Sequence, residues 1–107
     1  MKSVTVHLSE GAIADLMNIA HYIAEESGSI ETALAFTNRI ERRCHKIGNA
    51  PNGGAPRPDL GKDIRLVPFE KSAVIIYCTT EDAVEIVSVF YGGRDYEALL
   101  GGKFSDR

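Results

Sequence analysis

From residue 3 to residue 8 polar and apolar side chains alternate, Ser3, Thr5 and His7 against Val4, Val6 and Leu8, which is the two-residue period of a half-buried strand. Ser9 then offers an N-cap, Glu10 falls in a first turn where the helix dipole is positive, and Gly28 is a natural stop. Between them Ile13, Leu16, Ile19, Ala20 and Ile23 recur every three or four residues and are expected to form one apolar stripe. Ser29 caps a second helix at once, with Glu31 in its first turn and Gly48 at its end. On that helix Ala33, Phe36, Ile40, Cys44 and Ile47 lie within about 80° of one another on a helical wheel. Only Gly28 and Ser29 separate the two helices, so they fold back as an αα-hairpin with both stripes turned to one core.

Residues 49–63 hold three prolines and three glycines, which can neither continue a helix nor enter a central strand. A long surface loop is expected there, of the kind that often carries function. Three strands follow, over residues 64–69, 73–79 and 84–90, joined by short polar connections that favour an antiparallel meander. The apolar run Ala73-Val74-Ile75-Ile76-Tyr77-Cys78 marks the middle strand as buried on both faces. Asp95 then caps one or two helical turns over residues 94–100, and residues 101–107 are expected to be a flexible tail. The order β-α-α-β-β-β with a short C-terminal helix predicts a single α+β domain, an antiparallel sheet with the αα-hairpin on one face.

Fifteen acidic against twelve basic residues give a net charge of −3, which argues against a protein that grips nucleic acid through its own charge. No stretch approaches the roughly 18 apolar residues of a membrane span. The first residues lack the apolar core of a signal peptide. Cys44 and Cys78 both sit among apolar neighbours without CxxC spacing and read as buried free thiols. A soluble protein of the reducing cytoplasm is the expectation. His7, His21 and His45 are scattered over a strand and two helices, so neither a metal site nor a cofactor is expected. No serine or cysteine stands in a nucleophile motif.

Two basic groups remain. Arg39, Arg42, Arg43 and Lys46 share one exposed face of the second helix and form either a solvated face or a docking surface for an acidic partner. Arg57 in the long loop, Arg65 on the first meander strand and Arg94 after the last form the other group. Arg65 and Arg94 are expected to share one end of the sheet. With Tyr91 and Tyr96 nearby they would stabilise a phosphorane if the protein cleaved RNA. Alternatively, Arg65 pairs with Asp59, Asp63 or Asp95 and pins the loop to the sheet.

The order of these elements, and the residues on them, resemble the RelE/ParE toxin superfamily over residues 4–100. The resemblance is carried by Ala14-Asp15-Leu16 with Ile19, Tyr22 and Ile23, by Ala33, Phe36 and Ile40, and by Pro51, Gly54, Arg57 and Asp59-Leu60-Gly61. It continues through Ile64-Arg65, Pro68-Phe69, Val74-Ile75-Ile76-Tyr77 and Val89-Phe90-Tyr91-Gly92-Gly93-Arg94-Asp95. RelE-like members cut ribosome-bound mRNA with lysines, arginines and a C-terminal tyrosine. Here Arg65 and Arg94 match two basic positions, while a second lysine position falls at Val67 and the tyrosine position at Leu100. The resemblance therefore implies the ParE-like branch, plasmid-stabilisation toxins without catalytic residues that inhibit DNA gyrase by binding, with RelE-like mRNA cleavage as the alternative. It also implies a ParD-like ribbon-helix-helix antitoxin as partner, and Arg57, Arg65, Arg94, Tyr96, Tyr22, Arg42 and Arg43 as candidate contacts to partner or target.

Overall fold

The computed structural model describes residues 3–92. Its elements are β1 (Thr5–Leu8), α1 (Glu10–Ser27), α2 (Ile30–Ile47), β2 (Ala55–Pro56), β3 (Ile64–Phe69), β4 (Ala73–Thr79) and β5 (Ala83–Tyr91). The expected helix over residues 94–100 and the tail after it lie outside the described residues.

Both helices begin as their caps dictate. The Ser9 hydroxyl accepts the Ala12 N–H and the Ser29 hydroxyl accepts the Thr32 N–H, each at 3.0 Å. Gly28 closes α1 in the left-handed region at φ 71°, its N–H donating to the Ala24 carbonyl. Gly48 ends α2 for another reason. Its φ of −61° is right-handed, but a Cβ there would stand 2.5 Å from the Val4 carbonyl oxygen and 2.8 Å from Val6 Cγ2. The bare glycine lets the start of β1 close on the end of α2, where the Val4 N–H donates to the Gly48 carbonyl at 2.9 Å.

The sheet order is β1-β5-β4-β3-β2. β3, β4 and β5 form the expected antiparallel meander with β4 in the centre, and Ile75, Ile76 and Tyr77 are fully buried. Two features differ from the sequence expectation. β1 lies parallel to β5, so the sheet is mixed, because the hairpin and the meander together bring the last strand beside the first. The long loop also contributes an edge strand, β2, paired antiparallel with β3. Ala73, Ile75 and Tyr77 face the helices and pack in one core with Ile19, Ile23, Phe36, Ile40 and Cys44. On the opposite face Ile76 packs with Leu60 and Ile64, flanked by Leu66, Val74, Cys78, Val87 and Phe90.

The register also skips. Ile76 pairs with Ser88 but Tyr77 pairs with Ile86, leaving Val87 as an extra residue on β5. At this point β1 ends, its last pair being Leu8 with Ile86. Beyond it α1 serves the edge of β5. The Ser9 N–H donates to the Ile86 carbonyl at 3.0 Å, the Ser9 hydroxyl to the Val87 carbonyl at 3.1 Å, and Asp15 Oδ2 accepts the Val89 N–H at 3.0 Å. Lying along this edge turns α1 so that Ala12, Ile19 and Ile23 are its buried line. Ile13, expected in the stripe, is 48% exposed, and Met17 one turn on is 61% exposed.

If Asp15 substitutes for a strand here, Asp15→Ala orphans the Val89 N–H and lowers unfolding stability by about 1–3 kcal/mol. Asp15→Asn keeps an acceptor and loses less. Urea melts of the two variants check this, with equal losses counting against the interpretation.

Candidate functional site

The 49–63 segment is held down by a cross-strand pair. Arg65 on β3 stands opposite Tyr77 on β4, and both reach under the loop. The Tyr77 hydroxyl accepts the Gly54 N–H and donates to the Pro51 carbonyl, each at 2.9 Å. One guanidinium nitrogen of Arg65 donates to the Asn52 carbonyl at 3.0 Å and the Gly54 carbonyl at 2.7 Å. Gly54 is buried, and a Cβ on it would meet the Tyr77 hydroxyl at 2.6 Å. Arg65 thus pins the loop to the sheet, but through backbone carbonyls rather than through Asp59 or Asp63; Asp95 lies outside the described residues. Asp59 is engaged by Arg57, which makes a two-pronged contact with it at 2.9 and 2.7 Å.

The expected meeting of Arg65 with Arg94 falls outside the described residues, and what the register fixes is the far end of β5. Arg65 lies in line with Tyr77 and Ile86, whereas β5 ends at Tyr91 beside Ala73 and Phe69, at the opposite end of the sheet. On β4 the same interval runs from Tyr77 to Ala73, about 13 Å of extended chain. Arg94 itself, like Tyr96, Asp95 and Leu100, lies outside the described residues. Val67, at a lysine position of the nuclease-type relatives, is buried against the helices.

The basic face of α2 is also divided. Arg39 leaves it to clamp Glu70 with two hydrogen bonds at 2.9 and 3.0 Å, its guanidinium 5.4 Å from the Phe36 ring centre. Glu70 and Lys71 are the central residues of the β3–β4 turn, closed by the Ser72 N–H on the Phe69 carbonyl. Both have positive φ, 49° and 60°, although neither is the glycine or asparagine such a turn favours. Arg39 holds this turn in place. Arg42 and Lys46 are left exposed and Arg43 half-buried.

Apolar side chains are exposed on the hairpin. Ile30 and Leu34 on α2 and Tyr22 on α1 are 51–70% exposed, in addition to Ile13 and Met17. Tyr22, one of the candidate contact residues, touches Tyr91 edge-on at 5.8 Å, and Tyr91 meets Phe36 at 5.4 Å. Cys44 and Cys78 are free thiols. Burial, with a smaller push from Glu41, raises the Cys44 thiol to about 12, and burial with Glu85 and Asp63 raises Cys78. Neither thiol is poised as a nucleophile at neutral pH.

Tyr77→Phe leaves the Gly54 N–H and the Pro51 carbonyl without their partner, and a loss of about 1–3 kcal/mol is expected. The accompanying rise in amide exchange should be confined to residues 50–57; a uniform rise would contradict the anchoring role. The Arg39 hydrogen bonds hold the Glu70 carboxyl below the usual carboxylate range, as Arg57 does for Asp59. A depressed folded value means that the clamp stabilises above the unfolded carboxylate pKa and is lost as pH falls through the folded one. Carbon-detected titration of Glu70 should show this low midpoint, returning to the ordinary range in Arg39→Gln.

With this geometry in hand, comparison with known proteins gives a consistent result. A solved chain described as "Chromosomal ParDE TA system from P. aeruginosa" superposes with a TM-score of 0.73 at 20% identity, covering 84% of this chain and 97% of that one. At that identity the likeness shows a shared fold. A search of curated proteins finds no significant match. The profile of the family described as "ParE toxin of type II toxin-antitoxin system, parDE" matches residues 6–96, from the first strand through the hairpin and the whole meander, and the chain belongs to that family.

Proposed function

We propose that this chain is the toxin half of a ParDE-type pair, that it arrests growth by binding DNA gyrase, and that a ParD-like antitoxin neutralises it by covering the exposed apolar side chains of the hairpin. The observation that carries this reading is how the described polar groups are used. Arg65 and Tyr77 hold loop backbone, Arg39 and Arg57 hold carboxylates, and Val67 is packed in the core. Beside exposed polar residues, α1 and α2 also offer apolar side chains outward, Ile13 and Met17 on one helix and Ile30 and Leu34 on the other. Such side chains suit the apolar face of a partner segment laid across them. Cytoplasmic action fits this reading, and among the described residues no helix is long and apolar enough to cross a membrane.

Purified protein is expected to inhibit supercoiling by gyrase and to leave ribosome-bound mRNA intact, with filamentation on expression without antitoxin. Cleavage of ribosome-bound mRNA with supercoiling unaffected would replace this reading with the nuclease one. Leu34→Glu is expected to weaken antitoxin capture at least tenfold, since burying an uncompensated carboxylate is strongly unfavourable, while supercoiling inhibition by the free protein persists.

A further inference from the structure

The sheet closes its edges selectively. β5 beyond Ile86 is covered by Ser9 and Asp15. β3 is covered by β2 and carries Pro68, which has no N–H, and β2 itself carries Pro56. Among the described residues the outer edge of β1 has no such device. Along β1 the backbone groups alternate. The Ser9 N–H reaches the Ile86 carbonyl, and His7 stands in register with Glu85, so Thr5 and His7 point their N–H and C=O at β5. Val6 and Leu8 therefore point theirs away, to the side where, among the described residues, no strand pairs. The window has limits: the Val4 N–H is taken by Gly48 at one end, and α1 begins at Glu10 at the other. It holds no lysine, arginine or acidic residue, unlike the lysine-bearing edges that proteins use to prevent pairing.

We infer that this window, Val6 to Leu8, pairs antiparallel with the same window of a second copy of the chain. A long extended segment would run into the end of α2 or the start of α1, whereas two identical short windows fit each other. In the only register that uses every open group, Val6 exchanges both hydrogen bonds with the partner's Leu8, Leu8 does so with the partner's Val6, and the two His7 side chains face each other across the two-fold axis. This register also sets the Val4 end of one copy beside the Glu10 end of the other. The close of α2, with Lys46 exposed two residues before Gly48, thereby approaches an exposed Glu10, twice by symmetry. The charges are complementary. The inference is independent of gyrase and of any antitoxin.

Sedimentation equilibrium of the full chain from roughly 1 to 200 μM, the range of weak, small interfaces, is expected to show a monomer–dimer equilibrium. Val6→Pro deletes an N–H that points only to the partner. His7→Lys is accommodated within one copy by Glu85, its register neighbour, but sets like charges face to face across the axis. Each should raise the dissociation constant at least tenfold with the circular dichroism spectrum retained. Should Val6→Pro unfold, His7→Lys alone carries the comparison. His7→Cys is expected to form a disulfide-linked dimer on mild oxidation, because directly opposed residues of this kind have Cα atoms close enough to bridge. A chain that stays monomeric throughout, a dimer indifferent to both substitutions, or a window that pairs only with a strand of an antitoxin would each overturn the inference.

Discussion

A strand buried on both faces must have every backbone group on either flank matched, because an unpaired N–H or C=O beside it costs as much as a lost hydrogen bond in an apolar medium. β4 is such a strand, and β5 is the neighbour that meets this requirement on one side. The outer flank of β5 then needs a partner of its own. β1 supplies it as far as Ile86, and after the Val87 bulge the Ser9 and Asp15 side chains supply it from α1. The first helix is therefore fixed to the sheet by polar contacts before its apolar packing is counted. That attachment sets which of its apolar residues are buried, and so leaves Ile13 and Met17 outside.

Most of the architecture was legible in the sequence because short-range physics wrote it. The caps at Ser9 and Ser29, the stop at Gly28, five of the six buried positions of α2 and the two strands from Ile64 to Thr79 all depend on neighbours within a few residues. What was not legible depends on distant parts of the chain. Nothing near Val4 announces that β1 will lie parallel to β5, and nothing near Val87 announces a bulge. Leu16, Ile19, Ala20 and Ile23 of the expected α1 stripe reach the core, and Ile13 alone falls outside it for the same reason: a wheel gives the width of an apolar face, while the side turned inward is chosen by Asp15 and the β5 edge.

The candidate site shows the same division. Arg65 had a recognisable partner class in sequence, the nearby aspartates, yet its guanidinium binds carbonyls, which every residue has and which carry no sequence signal. The Tyr77 phenol was hidden in an apolar run, where a tyrosine reads as one more core residue. These groups would be taken for a catalytic cluster from residue type alone, and their hydrogen bonds instead make them the fastening of a loop. A fold by itself leaves function to individual side chains.

Gly54 and Tyr77 illustrate a wider consequence for variation in this protein. They are 23 positions apart, and the space that a methyl group would need at one is occupied by the hydroxyl of the other. An exchange at residue 54 is tolerable only once the phenol has gone, and loss of the phenol removes most of the reason for having glycine, leaving the Leu66 carbonyl oxygen 3.0 Å from the new Cβ. The two sites therefore drift as one heritable unit, and a mutational scan taken one position at a time would score each as indispensable without revealing that the constraint is mutual.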